Sequence, residues 1–160
     1  MTGKAHIIER FNKAREDVRA LLPAIDRRME IYPGWTIKEV LAHLAGWDDA
    51  TILALKAYLA GEAPPVPAER GIDLYNVQTV AERANLNYDQ IVEEWGMVRD
   101  QLSPLLDSLT DEKLAAKIVA PWGPTITVGA LIEDMAGHEE EHAAVIRARL
   151  ANPQQPPQPH

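Results

Sequence analysis

The histidines are the residues whose type and spacing could support chemistry in this sequence. Five occur, and the chain has no cysteine. Any bound metal ion must therefore be held by imidazole or carboxylate groups, and thiolate metal sites, disulfides and thiol nucleophiles are excluded. A thiol that took part in a reaction would have to come from outside the chain. We interpret His6, on the outer face of the first helix, and His160, at the end of a loose tail, as solvated.

His138 and His142 lie four residues apart in a segment with helical periodicity. Both fall on its apolar face, which is defined by Val128, Leu131, Ile132, Met135, Ile146 and Leu150. Two imidazoles at this spacing lie one above the other, and each nitrogen could reach the roughly 2.0–2.1 Å that a shared zinc ion needs. Glu139 falls on the same face and is a candidate general base or a group that orients an imidazole. Such a glutamate often pairs with an arginine or lysine instead.

His43 lies on another helical segment, beside Val40 and Trp47 on the shoulder of an apolar stripe. From that position its side chain can reach inward across a helical bundle. Three imidazoles leave at least one coordination position open, which is typical of a catalytic rather than a structural site. The simpler alternatives are that His43 is a hydrogen-bonded core histidine and that the pair near the end of the chain arises by chance.

The letters from His138 to His142 also satisfy the H-E-x-x-H motif of zinc proteases, with Glu139 as the general base. Such enzymes usually take their third ligand downstream of the motif, and here no Asp or Glu follows Glu141. The metzincin extension would need a histidine at the position of Ala148. The sequence therefore does not favour a protease.

Two helices are predicted before the first proline-rich loop. The first runs from about Gly3 to Met29, and Pro23 should kink or split it. The second begins after Thr36, because Thr36-x-x-Glu39 has the pattern of a capping box, and it ends at Gly61. This second helix carries His43.

A third helical region spans residues 72–109, which is too long for one ordinary helix. Asn87 with Gln90 three residues later predicts a cap, so we expect a break near residues 86–88. A short turn at 110–114 is expected to follow.

Residues 118–126 contain two prolines and a glycine and should be extended. Thr127 then caps the last helix, from Val128 to about Leu150. We find no convincing strand pair, so the predicted fold class is all-α, a four-helix bundle over residues 3–150. Residues 151–160 are rich in proline and glutamine and predict a disordered tail.

Length and charge limit the classes of partner. The 160 residues suit one domain, and the net charge of −8 argues against nucleic acid or an anionic membrane as a partner. No stretch approaches the roughly 18 apolar residues of a membrane span, and the first ten residues show no apolar signal core. The cytoplasm is the expected location.

Two motifs carry a family resemblance. The segment PGWTIKEVLAHLAGW, from Pro33 to Trp47, resembles the second-helix motif of the DinB-like superfamily. Residues 127–142, with their His-x-x-x-His, resemble that family's last helix, and Asn76 lies where related sequences often carry an Asn. The resemblance covers roughly residues 5–150.

The resemblance implies a four-helix bundle that is often dimeric. It also implies a divalent metal ion bound by His43, His138 and His142. An all-imidazole ligand set suits Zn, Ni, Cu or Fe, and Zn, Ni and Fe are the leading candidates. Family members include thiol-dependent transferases and isomerases that use bacillithiol, mycothiol or glutathione as cosubstrate. Other members are toxin self-protection proteins, and some of these do not need a metal.

The leading hypothesis is a metal-dependent enzyme, a thiol-dependent transferase or a hydrolase, that acts on a small molecule. Asn76 would hold the substrate or the nucleophile, unless it only satisfies a helix end. Arg83, on the same face, could meet an anionic substrate if it is not solvated. The alternatives are a small-molecule binding or self-protection protein without turnover, and a bundle whose metal is structural.

Overall fold

The computed structural model describes residues 3–160, in which four long helices form a bundle. The helices are α1 (Lys4–Leu21), α2 (Ile37–Leu59), α3 (Ile72–Glu82), α4 (Tyr88–Asp107), α5 (Asp111–Ala115) and α6 (Val128–Ala151). The strands are β1 (Glu30–Tyr32), β2 (Trp35–Thr36), β3 (Lys117–Val119) and β4 (Thr125–Thr127). Helix α1 packs along α6, and α2 packs along α4. The predicted all-α bundle with a broken third region is confirmed.

Three helix boundaries follow the local sequence signals. Helix α1 ends just before Pro23, which lies in a single 3-10 turn because proline cannot continue the hydrogen-bond ladder. The Asn87 side chain accepts from the Gln90 amide, and the Gln90 side chain accepts from the Asn87 amide, each at 2.9 Å. Thr127 caps α6 by accepting from the Ala130 amide at 3.0 Å. The predicted split and both of these caps are confirmed.

Two other expectations are wrong. The Thr36 hydroxyl donates to the Glu39 carboxylate at 2.7 Å and does not cap the backbone of α2. The chain also forms two small antiparallel hairpins, β1 with β2 and β3 with β4. The first turns at Gly34, whose φ of +80° favours glycine. Strands of two or three residues are too short to show an alternating pattern, which explains why the sequence did not predict them.

The core contains a charged layer between two apolar clusters. Each long helix contributes one buried charged residue to it, namely Arg15 from α1, Asp48 from α2, Arg99 from α4 and Glu139 from α6. Apolar side chains near Phe11 form one cluster, and those near Val18 form the other. The histidines of α2 and α6 lie close to this layer in the sequence, so the layer helps to fix the register of the helices that carry them.

The chain after Asn152 continues without helix or strand to residue 160. The domain boundary at residue 150 and the disorder of the tail stay predictions. Within residues 3–160, no helix has both the length and the apolar character that crossing a membrane requires.

Candidate metal centre

The three predicted histidines meet in the interior of the bundle. His43 projects from α2, and His138 and His142 project from successive turns of α6. Nε2 of His43 lies 2.8 Å from Nε2 of His138 and 3.1 Å from Nε2 of His142, and the two α6 nitrogens are 3.0 Å apart. The structure therefore forms a triangle of nitrogens from residues that are up to 99 positions apart.

The spacing and chemistry of this triangle fit a shared divalent ion. Nitrogens bound to one ion at about 2.1 Å are separated by roughly 3.0–3.4 Å, depending on the bond angle. Three imidazoles offer three lone pairs but no carboxylate, a set that suits Zn, Ni or Fe rather than Ca or Mg. The residues present therefore fit such a metal.

Burial keeps these imidazoles in the neutral form that binds metal. Desolvation lowers the pKa of His43 far below its ordinary value, and the imidazoles of His138 and His142 add to the shift. Desolvation likewise lowers the pKa of His138 to about 4 and the pKa of His142 well below 6.5. Protons therefore compete weakly for these nitrogens at neutral pH.

A tyrosine from the first hairpin contacts one of the three histidines. The hydroxyl of Tyr32 lies 2.7 Å from Nδ1 of His142, and the two rings meet edge to face. Histidines that bind metal usually donate their other ring N–H to such an oxygen, which fixes the tautomer. Nδ1 of His43 is buried and has no hydrogen-bond partner within residues 3–160. The hairpin that the sequence did not predict thus supplies a contact to the site.

A cavity of about 260 Å³ opens onto His43 and His138. Its other walls are mostly apolar and come from Trp47, Ile72, Trp122 and Met135, while Asn76, Asp134 and His160 add polar groups. A cavity of this size admits a small organic molecule. Two tryptophans, Trp47 and Trp122, therefore form part of its lining.

Asn76, which lies where related sequences often carry an Asn, forms part of the cavity wall. Its side-chain oxygen accepts from Nε1 of Trp47 at 2.8 Å, and the residue is buried. The neighbouring Tyr75 donates to the backbone oxygen of Gly46. These two bonds tie α3 to α2, so Asn76 has a structural role beside any contact with substrate.

Glu139 does not lie with the histidines. Its carboxylate accepts from Arg15 at 2.5 Å and from Arg99 at 2.5 Å, and both arginines also bind Asp48. Burial alone would lower the pKa of Arg15, but the Asp48 and Glu139 carboxylates raise it. Two arginines and two carboxylates balance their charges in this layer. This geometry argues against the predicted catalytic role of Glu139 and supports the ion-pair alternative.

Arg83 is neither solvated nor directed at the cavity, so both expectations for it are corrected. It is buried and pairs with Asp49 and with Glu94, and it donates to the Thr79 hydroxyl at 2.9 Å. Its charge is therefore matched by groups of the chain, and it is not placed to receive an anionic substrate.

Two polar residues at the cavity were not predicted from the sequence to lie there. Asp134 lies one helical turn before His138, so its spacing could have identified it. Desolvation, with a contribution from Glu133, raises the pKa of Asp134. His160 is exposed, as expected, but it also lies beside the site, with its ring centroid 5.1 Å from that of His43. No local pattern predicts this return of the chain.

Known proteins resemble this chain in sequence and fold. A protein of Oceanobacillus iheyensis named "Putative metal-dependent hydrolase OB0413" is 27% identical over 118 residues, which is 74% of this chain and 66% of that protein. The colibactin self-resistance protein ClbS, in complex with a double-stranded DNA, superposes with a TM-score of 0.79 at 15% identity and covers 94% of this chain and 97% of that one.

The mycothiol-dependent maleylpyruvate isomerase superposes with a TM-score of 0.71 at 17% identity, over 91% of this chain and 63% of that one. At such identities the two structural likenesses show the fold alone. The model of the DinB superfamily matches residues 10–146, which include all three histidines of the triangle. The chain therefore belongs to the DinB superfamily.

Proposed function

We propose that this chain is a metal-dependent enzyme that acts on a small molecule. One divalent ion, Zn, Ni or Fe, would be held by His43, His138 and His142. The observation that carries the proposal is the convergence of three Nε2 atoms within 3.1 Å of one another beside a cavity of about 260 Å³. The distant relative named as a metal-dependent hydrolase supports the same conclusion.

A divalent ion at this position would act as a Lewis acid. It would lower the pKa of a water molecule or a thiol and make that group a better nucleophile near neutral pH. The chain's own residues prepare the site. Burial keeps the imidazoles neutral, Tyr32 orients His142, and the indole rings of Trp47 and Trp122 limit access of water. Asp134 lines the same cavity, and its carboxylate would accept a proton from a bound nucleophile.

The reaction is a hydrolysis or a thiol transfer. Because the chain has no cysteine, a thiol would be a low-molecular-weight cosubstrate. The fold shared with a mycothiol-dependent isomerase supports thiol chemistry, and the name of the Oceanobacillus protein supports hydrolysis. Asn76 faces the same cavity and would hold the substrate or the thiol.

A second candidate is a binding or self-protection protein without turnover. The mostly apolar cavity walls favour it, because they can enclose a hydrophobic molecule without any metal. The fold shared with ClbS also supports this candidate. The bound DNA is a feature of the ClbS complex alone. Because this chain has a net charge of −8, we expect it to have no comparable affinity for DNA.

The first experiment is elemental analysis of protein purified without chelator and without nickel affinity resin. We expect about one equivalent of one metal in the wild type, its loss in His138→Ala, and its retention in the exposed control His6→Ala. If the wild type holds no metal even after reconstitution, the enzyme proposal fails. If His43→Ala removes the metal but leaves intact the binding of a small molecule, or the protection of cells from a toxin, the protein is a binding or self-protection protein.

A further inference from the structure

The imidazole of His160 lies beside the histidine triangle. Its ring centroid is 5.1 Å from those of His43 and His142. One nitrogen from each of the four histidines belongs to a group in which all atoms lie within 4.8 Å of one another. The fourth imidazole therefore approaches the same point in space as the other three.

The returning chain is held at both ends. After α6, the Arg149 guanidinium donates to the backbone oxygens of Asn152 and Gln155. It also donates to the backbone oxygen of Glu30 in the first hairpin, at 2.9 Å. At the far end, the His160 ring packs against Tyr32 and Trp35, at centroid distances of 4.7 and 5.3 Å. The tail thus crosses the same hairpin that orients His142.

The proline content of residues 152–160 favours the return of this segment to the site. Four of the nine residues after α6 are prolines, at positions 153, 156, 157 and 159. Fixed φ angles limit the conformations that a free tail can adopt, so less entropy is lost when it docks. An extended proline-rich chain advances about 3.1 Å per residue, so eight residues can span roughly 25 Å.

We propose that His160 is a fourth, displaceable ligand of the metal ion, and that substrate or a thiol cosubstrate must take its place. This inference rests on the proposed three-histidine metal site. Three histidines leave a position open around a four-coordinate ion, and a nitrogen now up to 4.8 Å from the others needs a shift of only about 1–2 Å to fill it.

The structure also leaves His160 free to be displaced from the site. His160 is exposed, whereas His43 and His142 are buried, and no helix or strand holds residues 152–160. His160 also forms part of the wall of the 260 Å³ cavity, so its departure both frees the coordination position and widens the entrance. The tail therefore acts as a tethered ligand that protects the ion until a molecule enters.

Pulsed electron paramagnetic resonance on the Cu²⁺-loaded full chain tests the proposal, because the spectrum counts coordinated imidazoles. We expect four in the wild type and three in both His160→Ala and His160→Phe. Phenylalanine keeps a ring against Tyr32 and Trp35 but offers no nitrogen, so it separates ligation from packing. His6→Ala is the matched control and should resemble the wild type.

Copper affinity gives a second readout. Both His160 variants should bind Cu²⁺ at least about tenfold more weakly than the wild type. Tenfold is the lower end of the loss in metal affinity when a group that supports a metal site is removed. Free imidazole at millimolar concentration should restore the fourth ligand. Three imidazoles in the wild type, with unchanged affinity in the variants, would overturn this inference and leave the metal site intact. Failure of every form to bind copper would remove the proposed function and this inference together.

Discussion

The hydroxyl oxygen of Tyr32 lies 2.7 Å from Nδ1 of His142, a contact that joins the first hairpin to the last helix. Burial, with a contribution from Glu141, raises the pKa of the Tyr32 hydroxyl far above its ordinary value, so the group stays protonated. When Nδ1–H of His142 donates to this oxygen, Nε2 keeps the lone pair that a metal ion needs. We therefore expect a change at Tyr32 in the hairpin to alter the metal affinity of the proposed site.

Tyr32→Phe should weaken Zn²⁺ binding by roughly 10- to 100-fold, the usual cost of losing the second partner of a metal-binding histidine. The ring is retained, so the free energy of unfolding without metal should fall by only about 1 kcal/mol. A competition titration with a chromophoric chelator measures the affinity. Tyr88→Phe is the control, since that ring packs against Arg27 on another part of the bundle. Equal zinc affinities for the two variants would contradict the coupling.

The metal-free protein should lose stability as the pH falls from about 6.5 to about 4. Desolvation lowers the pKa of His138 from 6.5 to about 4 and lowers the pKa of His142 as well. In that window the unfolded chain binds protons that the folded chain does not, so acid favours unfolding. Above pH 6.5 both states are neutral at these positions, and their contribution to the pH dependence vanishes.

Urea unfolding at several pH values, with chelator present, measures this dependence. His138→Gln should reduce the slope of the unfolding free energy between pH 6.5 and 4, because one titrating group is gone. His6→Gln should leave the slope unchanged. A slope in His138→Gln as steep as in the wild type would show that other groups carry the acid sensitivity.

The sequence predicted that His43, His138 and His142 would meet, because each lies on or beside the apolar face of its own helix. It could not place Tyr32 beside His142, since the contact spans 110 positions and depends on a hairpin of very short strands. The sequence likewise did not predict the burial of Arg15, because its partners come from three other helices. Contacts between elements depend on packing, which local periodicity does not encode.

Glu139→Gln tests whether this residue is structural or catalytic. Removing one charge leaves Arg15 and Arg99 with a single buried carboxylate partner, and breaking such a pair costs about 3–5 kcal/mol of unfolding free energy. The folded fraction should still bind one equivalent of metal, because the carboxylate does not contact the histidines. Urea unfolding and elemental analysis of the same sample measure the two effects.

The adjacent residue offers a matched control for that experiment. Glu140 pairs with Arg10 in a partly exposed bridge, and pairs of this kind contribute about 0–1 kcal/mol. Glu140→Gln should therefore leave stability nearly unchanged. A variant at Glu139 that is as stable as the Glu140 variant, but has lost turnover with its metal retained, would restore the catalytic role that the sequence suggested.

Gly46 lets α2 and α3 approach closely beside the cavity. A Cβ atom at this position would lie 2.0 Å from the hydroxyl oxygen and 2.7 Å from Cβ of Thr79, and rotation of the threonine side chain cannot move its Cβ. Gly46→Ala should therefore displace α3, which carries Asn76. We expect a loss of about 1–3 kcal/mol in the free energy of unfolding, despite the better helix propensity of alanine.

Urea unfolding of the single and double variants checks this close approach. Thr79→Gly in the Gly46→Ala background should recover part of the loss, although the Thr79 bond to Arg83 is sacrificed. Gly96→Ala is the control, because its nearest atom is 3.9 Å away, in the Arg19 side chain. That variant should gain up to about 1 kcal/mol from helix propensity alone. If Gly46→Ala also stabilised the protein, α3 would lie farther from α2 than the structure shows, and Asn76 could not be bonded to Trp47.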